Sequence, residues 1–266
     1  MSTDKSQNLE QYPAIDALDL ENKVKSMYRD VATNPDGDFH FEMGRNMAER
    51  LGYEPQDLDR IPSDAINSFA GVGYYFDLAN IQPGEEVADL GSGSGMDTFV
   101  AALKTGETGS VTGVDMTDEQ LRKAESLRDL HDFKNVSYVN GYIQSTGLTD
   151  GRFDIIISNG VINLAVDKPA VFREAARILK PGGRLAIADI VTEVHLPEGI
   201  TCDTTLWAAC IGGASHEDDY AAAIRTAGFE IKEIRENKEY QFISDNAKWA
   251  TETYGVKSIS VLAVRK

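Results

Sequence analysis

Residues Glu86–Gly95 read EVADLGSGSG, a short apolar strand that runs into a glycine-rich turn. The residues that follow, 97–103, have the apolar pattern of a helix start. Glycine lets the backbone turn tightly and lets a ligand approach the main chain, and the first N–H groups of a helix are unpaired donors. This strand, turn and helix are therefore predicted to hold a nucleotide-like cofactor.

The spacing of the glycines distinguishes two kinds of cofactor. A dinucleotide fingerprint, G-x-G-x-x-G/A, needs a small sixth residue, whereas here the glycines are followed by Met96 at that position. Asp89 lies two residues before the first glycine, where a carboxylate would repel a pyrophosphate. The sulfonium and ammonium groups of S-adenosylmethionine suit this acid. S-adenosylmethionine is thus favoured, and a dinucleotide-dependent oxidoreductase is the alternative.

A second carboxylate supports the same cofactor. Asp115 ends the predicted strand 110–115, 20 residues beyond the last glycine of the turn. Adjacent strands of a doubly wound sheet end at one crevice, so Asp115 can accept both ribose hydroxyls while the glycine turn holds the amino acid end. The alternative is that Asp115 only precedes a helix. Thr117 and Gln120 predict a capping box that opens this helix, which is expected to reach residue 130.

Strands and helices alternate along the rest of the chain, which favours a mostly parallel sheet covered on both faces. A helix is predicted from Val171 to Leu179, ending in the turn Lys180–Gly183. The fold class is therefore α/β, a Rossmann-like sheet of seven strands with helices on both faces. The further predicted strands are 136–140, 153–158, 184–189, 229–235 and 258–264.

Composition limits the classes of function. The 266 residues are 42% hydrophobic with a mean hydropathy of -0.31, and no apolar run approaches the roughly 20 residues that cross a bilayer. A formal net charge of -17 argues against nucleic acid as a partner, because phosphate-backbone binding uses clustered Lys and Arg. Two cysteines cannot build a disulfide framework. A cytoplasmic protein with a small-molecule partner and no membrane contact is expected.

Four motifs in order carry a resemblance to a known family: DLGSGSG at 89–95, GVDMT at 113–117, ISNGVINL at 157–164 and LKPGGRL at 179–185. With them the chain resembles the class I S-adenosylmethionine-dependent methyltransferases. Within that superfamily it is similar to the arsenite methyltransferase group, over residues 68–235. The resemblance implies a methyltransferase that uses S-adenosylmethionine.

The superfamily resemblance also implies roles for individual residues. Asn159 follows the fourth strand and is expected to face the methyl group, beside the crevice where open α/β sheets bind ligands. No NPPY stretch occupies this place, which counts against methylation of nucleic-acid bases. Ordinary core packing is the alternative for Tyr142 and Ile143. The residues implied for the methionine part are Asp89, Gly91, Ser92, Gly93 and Gly95. Those implied for the ribose and one adenine face are Asp115 and Met116, and those for the adenine rim are Gly141, Tyr142 and Ile143.

The acceptor side departs from the arsenite methyltransferases, which resemble one another in holding trivalent arsenic with three thiols. The matching positions are Val72, Gly160 and Cys210, so only Cys210 keeps the sulfur. Cys202 offers a second thiol, and two would suffice for an arsenical that already carries a methyl group. The alternative is that each cysteine packs as a small hydrophobe. A soft nucleophile such as a trivalent arsenical or a thiol is expected, with C- or O-methylation of a small metabolite as the alternative.

The chain is expected to divide into a helical lid and substrate segment over 1–75 and a cofactor-binding domain over 76–266. A lid would keep water from methyl transfer. Residues 191–216 are expected to be an insertion that forms a wall of the substrate pocket. The expected lid helices are 20–31, 39–51 and 63–69.

Asn159, Cys210 and His40 are the candidates for a part in catalysis. His40 lies between two phenylalanines of the lid, and an imidazole suits proton removal from an acceptor that needs a base. A structural histidine is the alternative there. His216 is the other candidate base, and a helix cap is the alternative for it. No resident metal is expected. A catalytically silent binding module on the same fold is a further alternative.

Overall fold

Within the described residues, a sheet of eight strands with helices on both faces forms the centre of the fold. The computed structural model describes residues 16–37, 39–201 and 211–266. The strands are β1 (Glu86–Leu90), β2 (Ser110–Asp115), β3 (Val136–Asn140), β4 (Phe153–Asn159), β5 (Leu179–Thr192), β6 (Ser215–His216), β7 (Phe229–Glu236) and β8 (Lys257–Arg265). This architecture confirms the predicted Rossmann-like α/β class.

The strand order is β3-β2-β1-β4-β5-β8-β7, with the two-residue β6 paired to β5 outside this path. β1 to β5 run parallel, and β8 is antiparallel to both β5 and β7. The chain runs outward from β1 to β2 and β3, then returns to place β4 on the other side of β1. The carboxyl ends of β1 and β4 therefore flank the point where the strand order reverses, which is where open α/β sheets bind ligands.

Helices cover both faces and the amino-terminal part of the chain. Buried β-branched and leucine residues of the central strands form two apolar cores, one on each face of the sheet. The helices are α1 (Ala17–Thr33), α2 (Arg45–Leu51), α3 (Pro55–Leu58), α4 (Ser63–Asn67), α5 (Phe76–Ala79), α6 (Met96–Thr105), α7 (Asp118–Leu130), α8 (Lys168–Ile178), α9 (Glu198–Thr201), α10 (Glu217–Thr226) and α11 (Asp245–Tyr254).

The expected helix over 39–51 is wrong in its first half. Gly44 precedes α2 with φ of 87°, a left-handed conformation that a right-handed helix cannot contain. The aromatic rings before Gly44 pack on each other and on α1 instead. The ring centroids of Phe39 and Phe41 lie 5.6 Å apart, and those of Phe41 and Tyr28 lie 6.4 Å apart. Tertiary aromatic packing thus replaces helical hydrogen bonding over these residues.

The predicted capping box at the start of α7 is also wrong, although α7 does end at Leu130. The Thr117 side chain makes no capping hydrogen bond. Gln120 is used elsewhere: its Oε1 accepts from Ser94 Oγ at 2.5 Å, and its Nε2 donates to the Tyr28 carbonyl at 2.8 Å. Gln120 therefore connects the glycine turn to α1.

The turn predicted at Lys180–Gly183 lies inside β5. The helix before it ends at Ile178, and the pairing of β5 with β4 slips between Phe153 and Ile155. Gly182, at φ of 77°, supplies the irregular backbone. A bulged strand thus replaces the expected loop, since neighbouring β4 offers ladder partners on both sides of the glycines.

Asp189 of β5 gives the stability of the fold a defined pH dependence. It is 1% exposed and accepts a hydrogen bond from Tyr220 Oη at 2.7 Å, and burial raises its pKa to about 6. Between the unfolded pKa near 4 and this folded pKa, the folded protein binds more protons at Asp189 than the unfolded chain. Its contribution to the free energy of unfolding therefore falls as the pH rises through this range.

We expect Asp189→Asn to remove this contribution. Urea denaturation from pH 4 to pH 7 would measure the free energy of unfolding of both proteins. As the pH rises, the value for wild type should fall by about 2–3 kcal/mol relative to the value for the variant. Most of the shift should be complete by about pH 6. A difference that stays constant over this range would contradict the assignment.

Candidate cofactor and acceptor site

A cavity of about 310 Å³ lies at the carboxyl ends of β1, β2 and β4, at the reversal of strand order. Its walls come from the glycine turn, the loops after β2, β3 and β4, residues 65–71 and one face of α1. Its described lining contains no Lys, Arg or His. The carboxyl groups that line it are Glu21, Asp89, Asp97, Asp115 and Asp167.

The glycine turn requires glycine because its φ angles are positive and because two of its positions leave no room for a Cβ atom. Gly91, Gly93 and Gly95 have φ of 76°, 53° and 95°, in the left-handed region. A Cβ on Gly91 would lie 2.5 Å from the Val161 side chain, and a Cβ on Gly95 would lie 2.3 Å from Tyr138 Oη. The turn therefore passes close under the loop after β4 and leaves its backbone open to the cavity.

Gly95→Ala tests the space requirement against a matched control. Gly106 ends the same helix with φ of 67°, and a Cβ there would meet nothing within 4 Å. Gly106→Ala should therefore cost only the conformational strain of about 1 kcal/mol in free energy of unfolding. Gly95→Ala should cost more and should also weaken cofactor binding, measured by calorimetry. Equal losses in both variants would contradict the steric argument.

Asp115 braces the turn from the end of β2. Its Oδ2 accepts from Gly93 N at 2.9 Å and its Oδ1 accepts from Thr117 N at 2.8 Å. Both the turn and the start of α7 are thus fixed on one carboxylate, whose pKa is raised by burial. Each oxygen keeps a second lone pair, so the group can still accept from a ligand hydroxyl.

Asp89 and Ser92 place polar atoms at the floor of the cavity. Asp89 is 2% exposed, accepts from Thr98 Oγ1 at 2.6 Å, and has a pKa raised well above its usual value by burial and by Asp97. Ser92 Oγ is buried and has no hydrogen-bond partner among the described residues. An unpaired buried hydroxyl costs free energy unless a ligand or water satisfies it. The floor therefore suits a polar ligand group, and a cation bound beside Asp89 would favour its charged form and so lower its raised pKa.

A buried carboxylate that the sequence reading did not single out organises the acceptor side. Asp97, in the first turn of α6, accepts from Tyr53 Oη and Tyr75 Oη, both at 2.6 Å, and from Asn159 Nδ2 at 3.0 Å. Burial raises its pKa, although these donors partly offset the effect. Asn159 Oδ1 in turn accepts from Val72 N at 2.7 Å. This Asp97 cluster joins the glycine turn, β4 and residues 70–73.

Asn159 lines the cavity, but its side-chain amide makes hydrogen bonds to other residues of the protein. Besides Asp97, its Nδ2 lies within 3.1 Å of Tyr53 Oη and 3.0 Å of the Gly73 carbonyl. Val72 and Gly160 are neighbours: a Cβ on Gly160 would lie 3.1 Å from Val72 Cγ1. The resemblance implies thiols at these two positions. The two positions thus meet beside Asn159 without offering a sulfur ligand.

Helix α1 closes the side of the cavity that is formed by the loops after β2 and β3. Its Leu20 and Val24 are each 3% exposed and pack with Met116 and Leu164. Tyr142, after β3, donates to Glu21 Oε1 of α1 at 2.7 Å. Tyr142 is 38% exposed, so it tethers the helix and is not a core residue. Gly141, Met116 and Ile143 also line the cavity.

Three other sequence candidates have different outcomes. His40 packs edge-on against Phe41 at 4.8 Å and is not part of the cavity lining. His216 Nδ1 accepts from Asp218 N at 3.2 Å at the start of α10, so it caps this helix, which was the alternative to a role as a base. Cys202 and Cys210 lie outside the described residues. The cavity lining therefore contains every implied cofactor residue except Gly95, and it also contains Asn159, but not His40.

Comparison with known proteins agrees with this geometry. Residues 81–246 match the family model described as a methyltransferase domain. The chain is 41% identical over 199 residues to an arsenite methyltransferase of Halobacterium salinarum, covering 74% of this chain and 51% of that protein. It is 42% identical over 152 residues to the human arsenite methyltransferase, covering 54% and 40%. The chain spans about half the length of these relatives or less.

Solved structures agree as well. An arsenic(III) S-adenosylmethionine methyltransferase from Chlamydomonas reinhardtii superposes with a TM-score of 0.62 at 30% identity, covering 85% of this chain and 75% of that one. A geranyl diphosphate C-methyltransferase from Streptomyces coelicolor, crystallised with S-adenosyl-L-homocysteine, has a TM-score of 0.68 at 17% identity, covering 96% and 100%, and shares the fold alone.

Family model, fold and cavity together define the class: the chain belongs to the class I S-adenosylmethionine-dependent methyltransferases. Within that class, its sequence is similar to the arsenite methyltransferases. These relatives do not favour the oxidoreductase alternative. Over the described ranges, the helices are too short or too polar to span a bilayer.

Proposed function

We propose that the protein transfers the methyl group of S-adenosylmethionine to a small-molecule acceptor, a trivalent arsenical or a related soft nucleophile, in the cytoplasm. The single observation that carries the proposal is the crevice in which the glycine turn and Asp115 share a hydrogen bond at the reversal of strand order. The similarity to arsenite methyltransferases supports the acceptor class.

The described residues fit the donor. The sulfonium and ammonium would lie among the carboxyl groups at the floor of the cavity, where Ser92 Oγ has no hydrogen-bond partner among the described residues. Asp115 would accept from the ribose hydroxyls through its remaining lone pairs. Met116 and Ile143 would contact the adenine, and the tether between Tyr142 and Glu21 would hold α1 over it. Accordingly, we propose residues 1–75 as a lid and substrate segment and 76–266 as the cofactor-binding domain.

For a soft acceptor, the main task of the protein is to align the acceptor with the methyl group of the donor. When bound, the sulfonium supplies an activated methyl group, and a soft lone pair attacks it without prior deprotonation. Alignment of the two reactants can contribute on the order of 7–11 kcal/mol. We assign that alignment to the Asp97 cluster, because it fixes residues 70–73 and Asn159 around the acceptor side. Hydroxyl or carbon acceptors would need a base, and His40 does not line the cavity to supply one.

A second candidate function is C- or O-methylation of a small metabolite. The specific observation in its favour is that Val72 and Gly160 meet at the acceptor side without any sulfur. Only Cys210, with Cys202 nearby in sequence, remains to hold arsenic, and both belong to 191–216, which we propose as a wall of the substrate pocket. The two functions make opposite predictions for these cysteines.

The discriminating experiment measures S-adenosylhomocysteine formation with arsenite, methylarsonous acid, thiols and a small-metabolite panel. If the arsenical function is right, an arsenical turns over, and Cys210→Ser and Cys202→Ser reduce that turnover. Arsenical turnover that survives both changes would overturn thiol binding. Turnover of only carbon or oxygen acceptors would establish the second candidate. Cofactor binding without turnover of any acceptor would establish a silent binding module.

A further inference from the structure

Two of the four histidines of the chain meet away from the cavity. His195 follows β5 and His216 ends β6, and their rings stack with centroids 4.4 Å apart and an interplanar angle of 22°. Asp219, in the first turn of α10, lies beside them, with its Oδ2 3.5 Å from His195 Nδ1. None of the three is among the described residues that line the cavity. The histidine cluster, His195, His216 and Asp219, is therefore separate from the cofactor and acceptor site.

The fold brings these three side chains together across a long segment of the chain. β6 pairs in parallel with the end of β5, so that Thr192 and His216 are register partners. His195 lies shortly after Thr192, and Asp219 lies about one helical turn beyond His216. The strand pairing and the start of α10 therefore fix the histidine cluster at the two ends of the segment 196–215.

The geometry of the cluster is close to that of a metal site. Each of its residues offers one ligand atom, and the three atoms lie within 4.8 Å of one another. Zn²⁺ takes imidazole nitrogen and carboxylate oxygen at about 2.0–2.2 Å, so tetrahedral ligands lie about 3.3 Å apart and the three atoms would approach by about 1.5 Å. The side chains of His195 and Asp219 are 72% and 67% exposed, so both can rotate to do so. A water would fill the fourth position.

The interactions now made within the cluster do not prevent metal binding. His216 Nδ1 accepts from Asp218 N in an exposed bond of 3.2 Å. A neutral imidazole has one acceptor nitrogen, so a metal on His216 would replace this bond, and the Asp218 N–H can donate to water instead. An ion pair between His195 and Asp219 does not account for His216, because two stacked imidazolium rings would repel each other. Two neutral imidazoles can instead share one cation.

The charges around the cluster favour a cation. Lys257 Nζ lies 2.7 Å from Glu193 Oε1 and 2.9 Å from Glu217 Oε2, so this ammonium is already paired with two carboxylates. Asp218 and Asp219 add two more carboxylates in the first turn of α10. These acids also oppose the positive end of the helix dipole, which would otherwise repel a cation. The local balance of charge is therefore negative.

We infer that His195, His216 and Asp219 form a binding site for a divalent transition-metal ion such as Zn²⁺. Imidazole ligands suit Zn²⁺, whereas Mg²⁺ and Ca²⁺ prefer shells of oxygen atoms. The bound ion joins the end of β5 to the start of α10 and so holds the two ends of segment 196–215 together. This inference goes beyond the proposed function, because the ion lies outside the cavity and its binding needs neither donor nor acceptor.

The test is calorimetric titration of the untagged 266-residue chain with zinc chloride at neutral pH. We expect Zn²⁺ to bind with a Kd of about 10 μM or lower. Mg²⁺ or Ca²⁺ in about tenfold excess should change this Kd by less than about threefold, because neither ion prefers imidazole. Displacement of zinc by these ions would indicate a diffuse acidic surface and would overturn the inference, as would undetectable zinc binding.

Substitutions in the cluster tie zinc binding to its residues. His195→Ala, His216→Asn and Asp219→Asn should each weaken it by about tenfold or more, because each removes one of three protein ligands. Asparagine is chosen at 216 because it is a good helix cap and so preserves the start of α10. His131→Ala is the matched control, since His131 is an exposed histidine at the end of α7, and it should bind zinc as wild type does. Equal affinity in all these proteins would overturn the inference.

Two further measurements exclude the thiols and a loss of folding as explanations. The double variant Cys202→Ser, Cys210→Ser should still bind zinc, and loss of binding by this variant in a folded state would assign the ion to the thiols and overturn the inference. Zinc at about 100 times Kd should raise the Tm of wild type by about 5 °C, and that of His195→Ala by about half as much or less. The same rise in both proteins would contradict the assignment.

Discussion

Asp115→Ala should lower the affinity for S-adenosylmethionine by about 100-fold or more. The substitution removes the expected acceptor of the ribose hydroxyls and also the partner of Gly93 N, so the ligand contact and the shape of the turn are lost together. Charge-assisted hydrogen bonds contribute roughly 1.5–3 kcal/mol each, which supports this magnitude. Asp115→Asn keeps one acceptor oxygen and should bind with intermediate affinity.

Asp118→Ala is the matched control for this prediction. Asp118 lies three residues further along the chain, is exposed, and accepts from Asn140 Nδ2 at 2.7 Å outside the cavity lining. Calorimetric titration should show near wild-type affinity for this variant, and thermal unfolding should show that Asp115→Ala is still folded. Donor affinity of a folded Asp115→Ala within about threefold of wild type would contradict the role of this carboxylate.

Asp97→Ala should have the largest effect on stability and turnover together. It leaves the hydroxyls of Tyr53 and Tyr75 without their buried acceptor, and the Asn159 amide keeps only the Gly73 carbonyl and Tyr53 Oη. Each unsatisfied buried donor costs roughly 1–3 kcal/mol, so we expect a loss of about 3 kcal/mol or more in free energy of unfolding. Residues 70–73 should lose their fixed position, and kcat should fall more than donor affinity.

Asp97→Asn provides the conservative comparison. The asparagine keeps one acceptor oxygen, and the hydroxyl of Tyr53 can rotate to accept from the new amide. Urea denaturation should therefore show less than half of the loss seen in Asp97→Ala, with turnover partly retained. If both variants kept wild-type kcat, the Asp97 cluster would have a structural role only.

Strand positions could be read from sequence because burial on both faces leaves a continuous apolar run, as in β1, whose Val87 and Leu90 are fully buried. The cofactor side could be read because its residues follow strand ends within short motifs, and strand ends meet at one edge of the sheet. Asp115, Met116 and Gly141 accordingly all line one cavity.

The acceptor side could not be read in this way, because its contacts join distant parts of the chain. Asp97 looks like an ordinary acidic residue in a first helical turn, and its partners Tyr53 and Tyr75 lie 44 and 22 residues away. The capping box predicted at Gln120 is wrong for the same reason: its partner Tyr28 is 92 residues away, while a capping box uses only neighbours. Tertiary contacts therefore override local signals at the site itself.

The most direct measurement of the central claim is a crystal structure of the protein grown with S-adenosylhomocysteine. We predict that its ribose hydroxyls lie within hydrogen-bond distance of the Asp115 carboxylate, with the amino acid end over residues 91–95. A structure in which the ligand binds elsewhere, or in which Asp115 does not contact the ribose, would contradict the account.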